Sequence, residues 1–467
     1  MTVQADGRNH YFGGAELYAD LDAKKIAGAL SGAVQFPTVA DPDQSKINRE
    51  PFFGLHAYLE KTFPLVHKTM TKTVVNEMSL LYFWKGSDES LTPALFMAHQ
   101  DVVPVMPGTE QDWVQPPYSG NIADDFIWGR GSSDCKSMLI GELSAAEYLI
   151  EKGYTPKRSL YFAFGHDEEV MGVHGAGELA KYLEAQGVKL EFVLDEGGGF
   201  MMGDDFGAPG RLIAKVDLLE KGYIDISVAC RSVGGHSSRP GSGTALGKVA
   251  RALVALEANQ FKPQMNTVAA AMCKALAPLA TDEKLATIMG DPDKYEAELM
   301  EHLLNDPKMA PLLYTTTAAT MISASPAPNV LPQMVEAIVN FRIAPQETCQ
   351  DVLNHCIEVI NDPDIDVTIA KGRDPSRISK PESATMEILK ETTAVFFPEA
   401  TVIPGLIMGG TDACYYEKIC DCCYRFGPNL DALVLSGTVH GTNERVSIHS
   451  MIQLVKTFLH IMKLTSF

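Results

Sequence analysis

The sequence contains no uninterrupted apolar run of the roughly 18 residues that a membrane-crossing helix requires. It also has no cluster of Lys and Arg, and its 39 basic against 59 acidic side chains give a formal net charge of −20. Such a surplus repels phosphate backbones and anionic lipid, so neither nucleic acid nor a membrane surface is expected as a partner. The opening, MTVQADGRNHYFGGAELYADL, lacks a basic stretch leading into an apolar core, so no secretory leader is expected. Internal repeats and low-complexity tracts are missing too, which argues against a solenoid. The nine cysteines are odd in number and irregularly spaced, and without an export signal they read as reduced thiols of a cytoplasmic protein. Cys420, Cys422 and Cys423, with Cys414 nearby, lack the two-residue spacers and second ligand pair of a thiolate metal site and read as buried free thiols.

What is present is a globular composition, 46% hydrophobic and 21% charged, which excludes a mainly disordered chain. At 467 residues the chain exceeds the size at which one core stops growing, so two or three domains are expected. Apolar, β-branched runs that end in polar residues recur at ALFMAHQDVVP (94–104), SLYFAFGHDEE (159–169) and LEFVLDEGGG (190–199), with helical stretches such as LIGELSAAEYLIEKG between them. This alternation predicts an α/β domain built on a mostly parallel sheet. From Lys215 the pattern changes to YIDISVACRSV, TALGKVARALVALEANQ, MVEAIVNFRIAP, CQDVLNHCIEVI and IDVTIAKG, which reads as a small α+β sandwich. After Asp374 the larger pattern resumes. The expected division is 1–214 with 374–467 as one domain and 215–373 inserted into it. The Ala- and Met-rich stretch 262–313 carries no readable chemical signature.

Ligands of open α/β sheets bind beyond the carboxyl ends of the strands, where His99, Asp101, Glu168, Glu169, Asp195 and Glu196 all fall. In His99-Gln-Asp101 the extended backbone puts imidazole and carboxylate on one side, so that one can orient the other, although a satisfied buried histidine fits equally well. Asp134, in the glycine-rich loop GRGSSDCKS, can serve as a ligand or as a plain helix cap. The adjacent acids Glu168 and Glu169 would repel each other unless a cation were near, a solvated acidic turn being the alternative. His440, in VHGTNERVSIH, lies in a glycine-containing loop and is a better ligand candidate than His449. A dinuclear zinc site needs carboxylates, neutral imidazoles and an open position, and His99, Asp134, Glu169, Asp195 or Glu196, and His440 supply that set.

The ordered motifs MAHQDVVPV, GRGSSDCKS, GHDEEVMG, LDEGGG, GGHSSRPG, APNVLPQ, NFRIAP, GGTDACYY and HGTNERVSI resemble the aminoacylase/carboxypeptidase S family of dizinc metallopeptidases from about Ala94 onward. The resemblance implies a zinc-peptidase catalytic domain with an inserted lid and dimerisation domain. Two Zn2+ per subunit are implied, with Co2+ or Mn2+ able to substitute. Asp134 would bridge them, His99 with Asp195 (Glu196 as alternate) completing one position and Glu169 with His440 the other. Glu168 would be the general base and Asp101 would orient His99. His236 of GGHSS would reach a partner subunit's site in a homodimer and stabilise the oxyanion, while Asn329 and Arg342 would bind substrate. The implied activity is cleavage of an amide or peptide bond next to a free C-terminal amino acid, on small peptides or N-acyl amino acids. Aminoacylase and dipeptidase are alternatives within the family, and an inactive binding protein is an alternative outside enzymes. One departure stands out: relatives carry an arginine where this chain has Cys414, which bears on substrate choice.

Overall fold

A computed structural model describes residues 11–467, so the first part of the opening stretch, residues 1–10, lies outside the described residues. The larger body is α/β. Its nine-stranded, mostly parallel sheet runs in the order Thr71–Val75, Ser79–Trp84, Leu160–Gly165, Ala94–His99, Val193–Asp195, Cys423–Arg425, Leu212–Glu220 and Ala400–Ile407, with Gly199–Met202 paired to Leu212–Glu220. The four central strands, from Leu160–Gly165 to Cys423–Arg425, are mutually parallel. Every residue of Ala94–His99 is buried, as expected for a strand covered on both faces and written as a near-continuous apolar run. Helices Lys136–Glu151 and Ile448–Ser466 pack on each other, and the first of them also packs on Ala94–His99.

A second, antiparallel sheet has the order Thr316–Ser323, Met334–Ile343, Gly222–Arg231 and Ile365–Arg373. Burial alternates along Met334–Ile343, so one face supplies Val335, Ala337, Val339 and Phe341 to a small core shared with Ile224, Ile226 and Val228. Helices Ala245–Ala258 and Cys349–Ile360 close that core through Val249 and Val352. No helix among the described residues is long and apolar enough to cross a membrane.

The chain first passes from the large sheet to the small one at a single residue. Leu212–Glu220 belongs to the large sheet and Gly222–Arg231 to the small one, and the buried Lys221 between them donates from Nζ to the carbonyls of Pro311 (2.8 Å) and Tyr314 (2.6 Å). The expected boundary at 214/215 therefore falls inside a strand of the larger body. The stretch 262–313 also departs from the expected grouping, because Val268, Met272, Leu276, Leu299 and Leu313 all join the large core.

The turn after Val193–Asp195 explains one local feature of the sequence. Gly198 has φ +56, and a Cβ there would press into the carbonyl oxygens of Lys215 and Arg425. A glycine lets the chain double back beneath Glu196 at the sheet edge. Gly198→Ala is expected to cost at least about 2 kcal/mol, since it combines a left-handed backbone with overpacking against rigid backbone atoms. Denaturant unfolding of the variant beside the wild type checks this.

Candidate metal centre

Because the central strands are parallel, their carboxyl ends lie on one edge of the sheet, and three chain segments deliver functional groups there. Ala94–His99 ends on His99 itself. Leu160–Gly165 leads through His166 and Asp167 into Glu168 and Glu169, and Val193–Asp195 leads into Glu196. The loop ahead of helix Lys136–Glu151 adds Asp134, and the loop ahead of Arg445–Ser447 adds His440.

Asp134 joins the two histidines. Its Oδ1 is 3.0 Å from His99 Nε2, and its Oδ2 is 3.0 Å from His440 Nε2. His99 Nε2 also faces Glu196 Oε1 at 3.1 Å, and His440 Nε2 faces Glu169 Oε2 at 3.1 Å. The Nδ1 of His99 is 3.0 Å from the Asp101 carbonyl oxygen, an acceptor that holds the ring proton on Nδ1 and turns the Nε2 lone pair toward the carboxylates. A lone pair facing two carboxylate oxygens is repulsive unless a proton or a metal ion lies between them. Against the opposing effect of burial, Glu196 and the neighbouring acids push the His99 pKa well up. Hydrogen bonds to Asp134 and Glu169 push His440 up to about 10. Burial opposes ionisation of Asp134, yet its bonds to His440 and His99 hold it well below the usual carboxylate range. The buried Glu169 Oε1 has no hydrogen-bond partner. Imidazole nitrogens, carboxylates and an unsatisfied buried oxygen form a donor set that fits divalent cations.

Of the two acids left open at the third strand, Glu196 faces His99 and Asp195 turns away. Asp195 accepts from its neighbour Glu196 N (2.8 Å) and from Ala413 N (2.8 Å), and burial, followed by the Glu196 charge, pushes it up to about 7. The fully buried Asp101 accepts from Glu168 N at 3.1 Å and Glu169 N at 3.0 Å. It thus positions both acids, while its own Oδ1 lies 3.4 Å from His99 Nδ1. Glu168 lines a cavity of ≈ 70 Å³ together with Arg342, Tyr223, Arg373, Thr411 and Asp412. Burial pushes the Glu168 carboxyl well up, with Glu196 and Asp412 adding and His99 opposing. The cavity brings Arg342 to Glu168. It does not include His236 or Asn329, which sit on an exposed two-stranded ribbon where Gly235–His236 pairs with Val330–Leu331. There His236 Nδ1 is 2.8 Å from Ser238 Oγ, and the Asn329 carbonyl accepts from Ser237 N at 3.0 Å. His449 stacks on Phe12, ring centres 4.1 Å apart, outside the cluster.

Several supporting residues escaped the sequence reading. Glu444 accepts from Ser133 N (2.9 Å) and Asp134 N (3.1 Å) through Oε1, and pairs with Arg130 Nη1 (2.6 Å) through Oε2. Arg130 Nη2 donates in turn to the Gly441 carbonyl at 2.7 Å. This buried pair clamps the Asp134 loop to the His440 loop. The acid directly before the short strand Arg445–Ser447 is its only trace in the sequence. Cys135 brings a thiol within 4.8 Å of the His99 and Glu196 ligand atoms, and the Thr411-Asp412-Ala413 turn sets one wall of the Glu168 cavity.

Glu444→Ala is expected to destabilise the fold by about 3–5 kcal/mol, because it strands the buried Arg130 charge. In a double-mutant cycle with Arg130→Ala the two losses should fall well short of additive. Urea unfolding of the four proteins reads both effects.

A family model described as Peptidase family M20/M25/M40 matches residues 95–464. The probable carboxypeptidase S-like 2 of Dictyostelium discoideum is 34% identical over 459 residues, covering 96% of this chain and 86% of that protein. The N-fatty-acyl-amino acid synthase/hydrolase PM20D1 of Xenopus tropicalis is 34% identical over 450 residues, covering 95% and 86%. Among solved structures, the M20 family metallo-carboxypeptidase Sso-CP2 from Sulfolobus solfataricus superposes with a TM-score of 0.70 at 18% identity, covering 95% of this chain and 99% of that one. The parallel-strand edge, the paired histidine-carboxylate positions and these matches lead to one conclusion: the chain belongs to the M20/M25/M40 family of metallopeptidases.

Proposed function

We propose that the protein is a dizinc hydrolase that cleaves the amide or peptide bond of an N-acyl amino acid or short peptide next to a free terminal carboxylate. The observation that carries this reading is the position of Asp134, with one oxygen facing His99 and the other His440. One cation would be held by His99, Asp134 and Glu196, the other by His440, Asp134 and Glu169. Glu196 takes the place first expected for Asp195, because Asp195 spends its oxygens on backbone N–H groups. Co2+ or Mn2+ would fit the same donors. The nine unpaired cysteines support a reducing, cytoplasmic setting.

When bound, the cations supply an acidified water nucleophile and polarise the scissile carbonyl. Glu168, with its raised pKa, takes the proton of the attacking water and returns it to the leaving nitrogen. Asp101 fixes the Glu168 and Glu169 backbone so that one acid stays on the metal side and the other on the substrate side. Arg342 lies in the same cavity as Glu168, with its guanidinium 4.9 Å from the Tyr223 ring centre, and serves as anchor for the terminal carboxylate. The four-stranded layer acts as lid and as dimer surface, with His236 and Asn329 on an exposed ribbon outside the Glu168 cavity. His236 would then stabilise the oxyanion in a partner subunit's site, with Asn329 beside it at the substrate.

The reading is tested by assaying zinc-loaded protein on a panel of N-acyl amino acids and dipeptides beside Glu168→Gln. Wild type should hydrolyse members with a free carboxylate. Glu168→Gln should keep its metal but lose about 10²–10⁴-fold in kcat, and near-normal turnover would remove the general-base role. Mixing inactive His236→Ala with inactive Glu168→Gln chains should restore up to about half the sites of a mixed dimer. Persistent inactivity of a mixture with proven subunit exchange would rule out a contribution across the interface.

A further inference from the structure

The cavity beside Glu168 is walled by two arginines, of which the function proposed above uses one. Arg342 and Arg373 each sit directly opposite Tyr223, on the strands that flank Gly222–Arg231. Residues in direct register share a face of the sheet, so Arg342, Tyr223 and Arg373 form a row across three strands. Strands about 4.8 Å apart separate the two arginine backbones by about 10 Å. The tyrosine ring between them carries Arg342 over its face at 4.9 Å, and its hydroxyl donates to Asp225 Oδ2 at 2.6 Å.

The two arginines of this wall are short of carboxylate partners. Among the described residues no carboxylate forms an ion pair with Arg342, whose neighbour is the ring. Arg373 donates from Nη2 to Glu220 Oε2 at 2.9 Å, but Glu220 also binds Arg425 through Nε (2.9 Å) and Nη2 (2.6 Å). The backbone N–H and hydroxyl of Thr411, both at 2.9 Å, fill the remaining acceptor positions of Glu220. One carboxylate is thus divided between two guanidiniums, and Arg373 Nη1 is buried without any acceptor. Among the described residues Asp412, on the same cavity, forms no ion pair with either arginine, and its buried Oδ2 has no hydrogen-bond partner. The wall is also shaped around the cation. A Cβ on Gly410 would collide with Arg373 Nη2, and Cys414 sets a short thiol rather than a long cationic side chain into the cavity.

We propose that Arg373 is a specificity residue that binds a second carboxylate, so that the preferred substrates release an acidic amino acid of the aspartate or glutamate type. Arg342 holds the terminal carboxylate and Arg373 the side-chain carboxylate, with the Tyr223 ring keeping the two anion positions apart. One carboxylate shared by both arginines is disfavoured by that intervening ring. The inference rests on the reading of this cavity as the seat of the leaving amino acid.

The test uses the zinc-loaded protein with N-acetyl-glutamate against N-acetyl-glutamine and N-acetyl-aspartate against N-acetyl-asparagine, pairs that differ in side-chain charge alone. Both kcat/KM and equilibrium binding by titration calorimetry are measured for wild type, Arg373→Gln, Arg373→Lys and Gly410→Ala. Wild type is expected to favour each acid over its amide by about 10- to 100-fold, the range for a charge-assisted hydrogen bond. Arg373→Gln should bring that ratio near unity, costing the acids far more than the amides, and Arg373→Lys should restore part of it. Gly410→Ala, which moves the guanidinium without removing it, should weaken the acids alone. Equal treatment of acid and amide by wild type, or an equal loss on every substrate in Arg373→Gln, overturns the inference and leaves Arg373 a structural partner of Glu220. The binding ratios decide this whether or not the compounds are turned over. Failure to hydrolyse any N-acyl amino acid or dipeptide would instead count against the function proposed above.

Discussion

The architecture depends on concentrating negative charge at one edge of a sheet without losing the fold. Asp134, Glu169 and Glu196 converge there on two imidazoles, and each histidine Nε2 faces two carboxylate oxygens at 3.0–3.1 Å. In a buried setting such an arrangement costs several kcal/mol per uncompensated ion. The facing carboxylates raise both histidine pKa values, so bound protons offset part of that cost, and divalent cations would offset more of it. The electrostatic demand and the catalytic capacity have the same origin.

Much of the surrounding structure keeps those groups from relaxing apart. Asp101 ties the acids after one strand to the histidine at the end of its neighbour, and the Arg130–Glu444 pair ties the Asp134 loop to the His440 loop. Glu220 does the same on the substrate side. It ends the last large-sheet strand before the crossing and holds Arg373 of the small sheet, Arg425 of the large one and the Thr411 turn. Glu220 thereby links the two sheets beside the cavity that contains Glu168.

The strand-end acids and histidines were legible because a buried parallel strand has no reason to end in ionisable groups unless they serve chemistry, and the central sheet follows from the same apolar runs. The choice between Asp195 and Glu196 was not legible. Adjacent residues at a strand end point to opposite sides, and only the backbone N–H groups of Ala413 and Glu196 itself reveal which side is structural. Leu212–Glu220 reads as apolar whichever body it joins, so its place in the large sheet depends on pairing with Ala400–Ile407, a partner nearly two hundred residues away in the chain. The helices of 262–313 show ordinary amphipathic spacing, and nothing in that spacing names the core they cover. Arg373, in a plain KGRD run, gains its meaning from its register with Tyr223.

In the proposed function Asp134 would be shared by two cation positions, one completed by His99 and Glu196 and the other by His440 and Glu169. Metal content of extensively dialysed, zinc-reconstituted protein tests it most directly when wild type is compared with His99→Ala and His440→Ala. The account predicts two equivalents per chain in the wild type and one tightly held equivalent in each variant. A wild type that holds a single equivalent, or variants that both retain two, would contradict it.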